Sequence, residues 1–239
     1  MTSVVRPAGQ SPLPDDRPDR QVLDRAELPG GGQLRLVRDG QDFEIWCDDE
    51  QLMSNWSTAS EQALAALACE RLGPRANHVL IGGLGMGFTL GAALKALPRH
   101  VIVTVAELVP EVLSWARGPL AHVVGAALDD ARVIVRLCDV HDMIANHREA
   151  YDAILLDVDN GPEALIDLGN DRLYCGWGLR AAHGALRPGG VLAIWSSFQD
   201  EQFAERLRGA RFEVEEFRIE AGDDAGENVD TIWIGIKLD

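Results

Sequence analysis

The residues of this sequence that could do chemistry together are a run of closely spaced glycines and a few single acids at the ends of apolar runs. The glycines lie in HVLIGGLGMGFTLGAALKAL (78–97), at Gly82, Gly83, Gly85 and Gly87, with Leu84 between them. A buried-strand pattern enters this turn, and a helical pattern leaves it near Phe88. Glycine permits positive φ and lets a ligand approach the backbone closely. The N-terminus of the following helix adds free N–H donors and a partial positive charge. The spacing G-x-G-x-G differs from the G-x-G-x-x-G that seats a pyrophosphate. A purely structural tight turn would use the same glycines, so the turn needs support from elsewhere.

Glu107 gives that support. It ends the run VIVTVAE, 24 residues after Gly83, with Leu108 beside it. That spacing places a carboxylate at the tip of the neighbouring strand, where it can accept both hydroxyls of a ribose. Asp139, followed by Val140, ends the next run. Its carboxylate suits either an adenine amino group or the N-cap of a following helix. These residues point to a nucleoside ligand without identifying the group transferred.

The fourth run, YDAILLD, leads into Asp157 and Asp159, then the turn Asn160-Gly161-Pro162. Open parallel sheets bind ligands beyond the carboxyl ends of their strands, where the strand order reverses. A carboxylate there can bind an amine and accept its proton. Asp157 is thus the candidate catalytic group. Asp159, Tyr174 and Trp195 are candidate substrate contacts.

The elements that must position these residues are legible as patterns. Leu34, Leu36, Phe43, Ile45 and Cys47 alternate with polar positions around Asp39-Gly40, which predicts a β-hairpin over 33–48. An Ala/Leu run from Ser60, the expected cap, to Leu72-Gly73-Pro74 predicts a helix. Near-continuous Val/Ile/Leu runs at 79–83, 101–107, 131–137, 151–157 and 190–196 read as parallel strands covered on both faces. Helical segments are expected at 87–97, 109–117, 140–148, 171–186 and 200–209. The runs 212–220 and 231–238 read as an antiparallel pair closing the sheet. The fold class is therefore α/β: a doubly wound, mostly parallel seven-stranded sheet, Rossmann-like, with a small N-terminal hairpin. The expected organisation is a disordered tail at 1–20, a hairpin region at 21–60 and a cofactor-binding domain at 61–239.

Composition narrows the partners. With 38 acidic and 22 basic residues the net charge is −16, which repels phosphate backbones and attracts cations, polyamines included. Nucleic acid is not expected as a substrate. Cys47, Cys69, Cys138 and Cys175 form no C-x-x-C pair and no zinc-like cluster, so no metal is expected. No apolar run is long enough to span a bilayer, and no signal-peptide core is present. A cytoplasmic protein is expected.

From about residue 33 to 197 the chain resembles the spermidine synthase family of aminopropyltransferases, within the wider class I methyltransferase-like fold. VLIGGLGMG stands where that family has its glycine turn. VTVAELVPEVLSWAR resembles its strand-acid-helix segment, with Glu107 at the ribose position. CDV places Asp139 at the adenine position, and YDAILLDVDNGP places Asp157 at the catalytic aspartate. LRPGGVLAIW resembles the next helix end and strand. The resemblance implies decarboxylated S-adenosylmethionine as donor, a polyamine as acceptor, methylthioadenosine as product and a homodimer. There are departures. The two loop aspartates are two residues apart rather than three, and SEQALAALACERL lacks the family's tyrosine and histidine. Trp195 stands where a glutamine is usual, Val109 where a second acid often follows, and Val140 where glycine is usual. A small-molecule methyltransferase using S-adenosylmethionine, and a nucleoside-binding protein without catalysis, therefore stay open as alternatives.

Overall fold

The structure, a computed structural model, describes residues 20–158, 171–220 and 229–238. The predicted tail lies outside the described residues except for Arg20, which begins the first strand. Four antiparallel strands come first, in the order β1-β2-β3-β4: β1 (Arg20–Glu27), β2 (Gln33–Asp39), β3 (Asp42–Cys47) and β4 (Glu50–Ser54). The predicted hairpin is β2–β3, turning at Gly40. It is the middle of a larger sheet. The flanking strands escaped sequence reading because neither alternates cleanly: β1 carries an irregularity between Val22 and Asp24, and β4 is only five residues long.

The helix α1 (Ala59–Glu70) follows. Its N-cap is Thr58, and Ser60 lies inside the first turn, where its hydroxyl donates to Glu61 at 3.2 Å instead of capping. Then come β5 (His78–Gly82), α2 (Phe88–Ala96), β6 (Ile102–Glu107) and α3 (Pro110–Arg117). The short helix α4 (Ala121–Val124) and a 3-10 turn (Gly125–Asp129) were not foreseen, being too short to show a period. The chain continues through β7 (Val133–Leu137), α5 (Val140–Ala145), β8 (Tyr151–Leu156), α6 (Asp171–Tyr174), α7 (Gly176–Ala185), β9 (Leu186–Ser196), α8 (Glu201–Gly209), β10 (Phe212–Glu220) and β11 (Val229–Lys237). The helix expected over 171–186 is broken at Cys175, which has extended backbone. Gly178 packs so tightly that a Cβ there would lie 1.9 Å from the Arg172 carbonyl oxygen.

The seven-stranded sheet has the order β10-β11-β9-β8-β5-β6-β7. The pairs from β9 to β7 are parallel, and β11 pairs antiparallel with both β9 and β10. Strand order reverses between β5 and β8, which is where such sheets open a crevice. Val79, Ile81, Val103, Val105, Ala153 and Leu155 pack with α1, α2, α3 and the inner face of the N-terminal sheet in one core. Leu80, Ala106, Ile154, Leu192 and Ile194 pack with α5, α7 and α8 in the other. Period-2 alternation across a sheet buried on both faces produces these two lists. The N-terminal sheet is tied to the body by Trp115, whose indole N–H donates to Asp24 at 2.8 Å.

Candidate active site

The glycine turn leaves β5 at the switch point and is pinned on both sides. Gly83 N–H donates to the Ala106 carbonyl at 2.9 Å, and Asp157 N–H donates to the Gly82 carbonyl at 3.1 Å. Gly83, Gly85 and Gly87 have φ of 86°, 49° and 80°. A Cβ on Gly83 would stand 2.4 Å from the Asp157 carbonyl oxygen, and one on Gly85 would stand 2.7 Å from the Met53 methyl. The turn thus needs glycine for the end of β8 and for the N-terminal sheet, whatever ligand it holds. Gly87 caps α2 and offers no side-chain acceptor to the first helical amides.

Glu107 reaches this turn. One carboxylate oxygen accepts the Leu84 N–H at 2.9 Å, and the other accepts the Val109 N–H at 2.8 Å. The group is buried, at 6% exposure. Burial pushes its pKa up, while the backbone N–H groups of Val109, Leu84, Leu108 and Gly85 hold it down. A carboxylate has about four acceptor positions, and the two well-formed bonds from Leu84 and Val109 leave room for a diol hydroxyl. Glu107→Gln would turn one acceptor into a donor facing a backbone N–H. We expect at least about a tenfold loss of methylthioadenosine affinity by calorimetry, with a lower melting temperature.

Asp139 caps α5, one oxygen accepting the His141 N–H at 2.8 Å, and its other oxygen pairs with Arg172. This is the helix cap that the sequence offers it. Val140 is buried against Gly82, where a Cβ would come within 3.0 Å of its methyl.

Asp157 follows β8 and is half-buried, and Thr89 of α2 donates to it at 2.5 Å. A cavity of about 60 Å³ is lined by Leu52, Met53, Glu61, Asp157 and Trp195. Glu61 and Trp195 are shared with a cavity of about 380 Å³, whose wall also holds Trp56, Ser60, Phe198 and Asp230. Trp195 is thus a wall of the chamber. Tyr174 lies behind it: the ring is buried against Phe203, and its hydroxyl donates to the Val158 carbonyl at 3.0 Å. Asp159 and the turn at 160–162 lie outside the described residues.

Sequence reasoning missed Glu61, Asp230 and Thr89. Glu61 left a signal. It lies on the buried stripe of α1 with Leu64, Ala65 and Ala68, an acid at a core position of an Ala/Leu helix. Asp230 precedes Thr231, the first residue of β11 paired with the end of β9, a placement visible only once strand order is known.

Burial raises Asp157 to about 6, with the Asp230 charge adding and the Thr89 hydrogen bond opposing. Burial, then the charge of Asp157, raises Glu61 to about 8. Asp230 is raised by burial against opposing contacts from Ser60 and Trp195. Both Asp157 and Glu61 bind protons more tightly folded than unfolded. Their contribution to stability therefore falls as pH rises from about 4, through the two raised values, to about 8. The melting temperature of the ligand-free protein should drop over that window, and Glu61→Gln should flatten the drop above pH 6. A variant as steep as the parent would contradict this.

No family profile matches the chain. A polyamine aminopropyltransferase of Nitrosomonas europaea is 33% identical over 123 residues, which is 51% of this chain and 35% of the relative. The chain thus aligns with about a third of that relative's length. Among solved structures, a spermidine synthase in complex with the transition-state analogue AdoDATO superposes over 90% of this chain and 73% of its own, at a TM-score of 0.77 and 17% identity. The fold is that of the spermidine synthases. The spermidine synthase from Thermotoga maritima superposes with a TM-score of 0.72 and 16% identity, over 90% of this chain and 72% of its own. Coverage of 90% cannot be reached by the seven-stranded sheet alone, so the spermidine synthase likeness includes the N-terminal sheet.

Proposed function

We propose that the protein is an aminopropyltransferase of the spermidine synthase type, passing an aminopropyl group to a small amine. One observation carries this reading: Asp157, fixed by Thr89 beside the glycine turn, opens onto a chamber that also holds Glu61 and Trp195. Methyl transfer alone gives no reason for a second buried acid there, whereas an amine acceptor does.

The residues fit a nucleoside donor. The Gly83–Gly87 turn and Glu107 meet at Leu84, and the Glu107 carboxylate keeps acceptor capacity for ribose hydroxyls. Leu108 and the buried Val140 flank the site, and Asp139 would meet the adenine amino group by sharing its carboxylate with Arg172. Bound decarboxylated S-adenosylmethionine supplies an electrophilic carbon on a sulfonium, with methylthioadenosine as the leaving group. Asp157 receives the attacking amine, orients its lone pair and accepts the proton it loses as the new C–N bond forms and the C–S bond breaks. A carboxyl raised to about 6 is ionised at neutral pH yet basic enough to take that proton. Thr89 fixes the carboxylate plane, and Leu52, Met53 and Trp195 exclude water around it.

The test is calorimetry with methylthioadenosine, S-adenosylmethionine and its decarboxylated form, followed by product analysis with putrescine. Aminopropyl transfer is expected. Methyl transfer from S-adenosylmethionine, or nucleoside binding without turnover on any amine, would replace this reading with the corresponding alternative.

A further inference from the structure

The candidate base is anchored through its backbone on two sides. The ladder of β8 ends at Leu156, which pairs with Gly82 on one side and Ile194 on the other. The next residue, Asp157, still donates its N–H to the Gly82 carbonyl at 3.1 Å, and its own carbonyl lies where a side chain on Gly83 would clash. The strand registers go no further, and the Val158 carbonyl accepts instead from the Tyr174 hydroxyl at 3.0 Å. Asp157 is thus a single residue held between a bond to the glycine turn in front and a bond to a tyrosine behind.

Tyr174 ends α6 and is 1% exposed. It belongs to the core of Leu173, Leu179, Phe203 and Trp233, against which Val158 also packs. Its ring meets Phe203 edge-on at 6.0 Å. A phenylalanine would fill that space as well. A buried phenol hydroxyl is costly without a partner, and so is a backbone carbonyl shielded from water. Packing therefore accounts for the ring but not for the hydroxyl, and the carbonyl that the hydroxyl reaches is the one directly after the candidate base.

We propose that Tyr174 is a positioning residue for the reaction: by holding the Val158 carbonyl it fixes the direction in which Asp157 leaves β8, and so the aim of its carboxylate at the attacking amine. This rests on the reading of Asp157 as the group that takes the amine's proton. Tyr174 lines neither cavity of the chamber, so it acts through the backbone of Val158 and Asp157. Thr89 restrains the same residue independently, at the tip of its side chain. A displacement of about 1 Å can cost a reaction about a hundredfold in rate. Releasing one anchor should cost less, because the Gly82 and Thr89 bonds remain.

Tyr174→Phe removes the hydroxyl and keeps the ring. Phe203→Leu is the comparison, since it loosens the same core without removing the hydrogen bond. The experiment uses the full chain, with steady-state kinetics on decarboxylated S-adenosylmethionine and putrescine, calorimetry with methylthioadenosine, thermal melts, and amide hydrogen exchange by NMR. Tyr174→Phe should lower kcat at least about fivefold and leave KM for putrescine and methylthioadenosine affinity within about twofold. The Asp157 amide should exchange at least about tenfold faster, while the Ile154 and Leu155 amides inside β8 keep their protection. Phe203→Leu should melt at least as early, yet keep kcat within about twofold. The proposal is overturned by parental kcat in Tyr174→Phe, by a loss no larger than that in Phe203→Leu, or by unchanged exchange at Asp157. If Tyr174→Phe melts early, exchange measured well below its midpoint decides: a uniform rise along β8 means general loosening and also overturns the proposal. Parental kcat in Asp157→Asn would instead overturn the reading of Asp157 as the base, and selective exchange at its amide would then show the anchor standing without that reaction.

Discussion

Asp157→Asn should cut kcat by about a hundredfold or more while leaving methylthioadenosine affinity unchanged, in line with the 10²–10⁴ contribution typical of a positioned base. The substitution keeps the shape of the side chain. The amide oxygen can still accept the 2.5 Å hydrogen bond from Thr89, so the local geometry survives. On the proposed reaction, what is lost is the negative charge that attracts the acceptor and the site that takes its proton. Removing a carboxylate that burial and Asp230 both disfavour should also raise the melting temperature above about pH 6. The combination matters: a more stable, ligand-competent but slow protein separates a chemical role from a structural one. Stopped-assay kinetics, calorimetry and thermal melts check the three parts. A fall in kcat of less than about tenfold would remove Asp157 from proton transfer.

Gly83→Ala should be the most damaging small substitution in the turn. An L-residue at φ of 86° costs on the order of 1–2 kcal/mol. The added methyl would also lie 2.4 Å from the Asp157 carbonyl oxygen, so the end of β8 must shift, at about 1–3 kcal/mol. Both costs act where Asp157 begins, so stability and turnover should fall together. A chain of this size loses about 2–4 °C of melting temperature per kcal/mol, which puts the drop at roughly 5–20 °C. Gly91→Ala is the control. It lies in α2 with nothing within 4 Å of the new methyl, and it should stabilise by a few tenths of a kcal/mol to about 1 kcal/mol through helix propensity. Similar melting temperatures for the two variants would show that the turn is more yielding than its geometry implies.

The seven-stranded sheet was legible because its strands are buried on both faces and leave long apolar runs that no helix period explains. The glycine turn and Glu107 were legible for the same reason: each ends such a run. The four-stranded N-terminal sheet was only half visible, since β1 and β4 bury too few alternate positions to mark themselves. The split at Cys175 depends on how closely Gly178 meets the Arg172 carbonyl, a tertiary contact that local pattern cannot encode. The place of Asp157 after a strand is legible, but the neighbours it meets in the chamber are not. Glu61 reads as a solvated helix residue until the helix face is known, and Asp230 reads as a loop acid until β11 is seen to insert between β9 and β10. Charges brought together by topology rather than by spacing are invisible to a reader of one chain.

That insertion has a kinetic consequence. The chamber is walled by Leu52 and Met53 from β4 and by Asp230 from β11, far apart in the chain, and β11 takes its place between two strands that both precede it. Contacts of such long sequence separation form late, because closing the intervening chain must come before they reward it. In a refolding experiment, secondary structure and the β5–β8 core should recover first and amine binding last. A chain emerging from the ribosome would likewise complete this chamber only after β11 has been made.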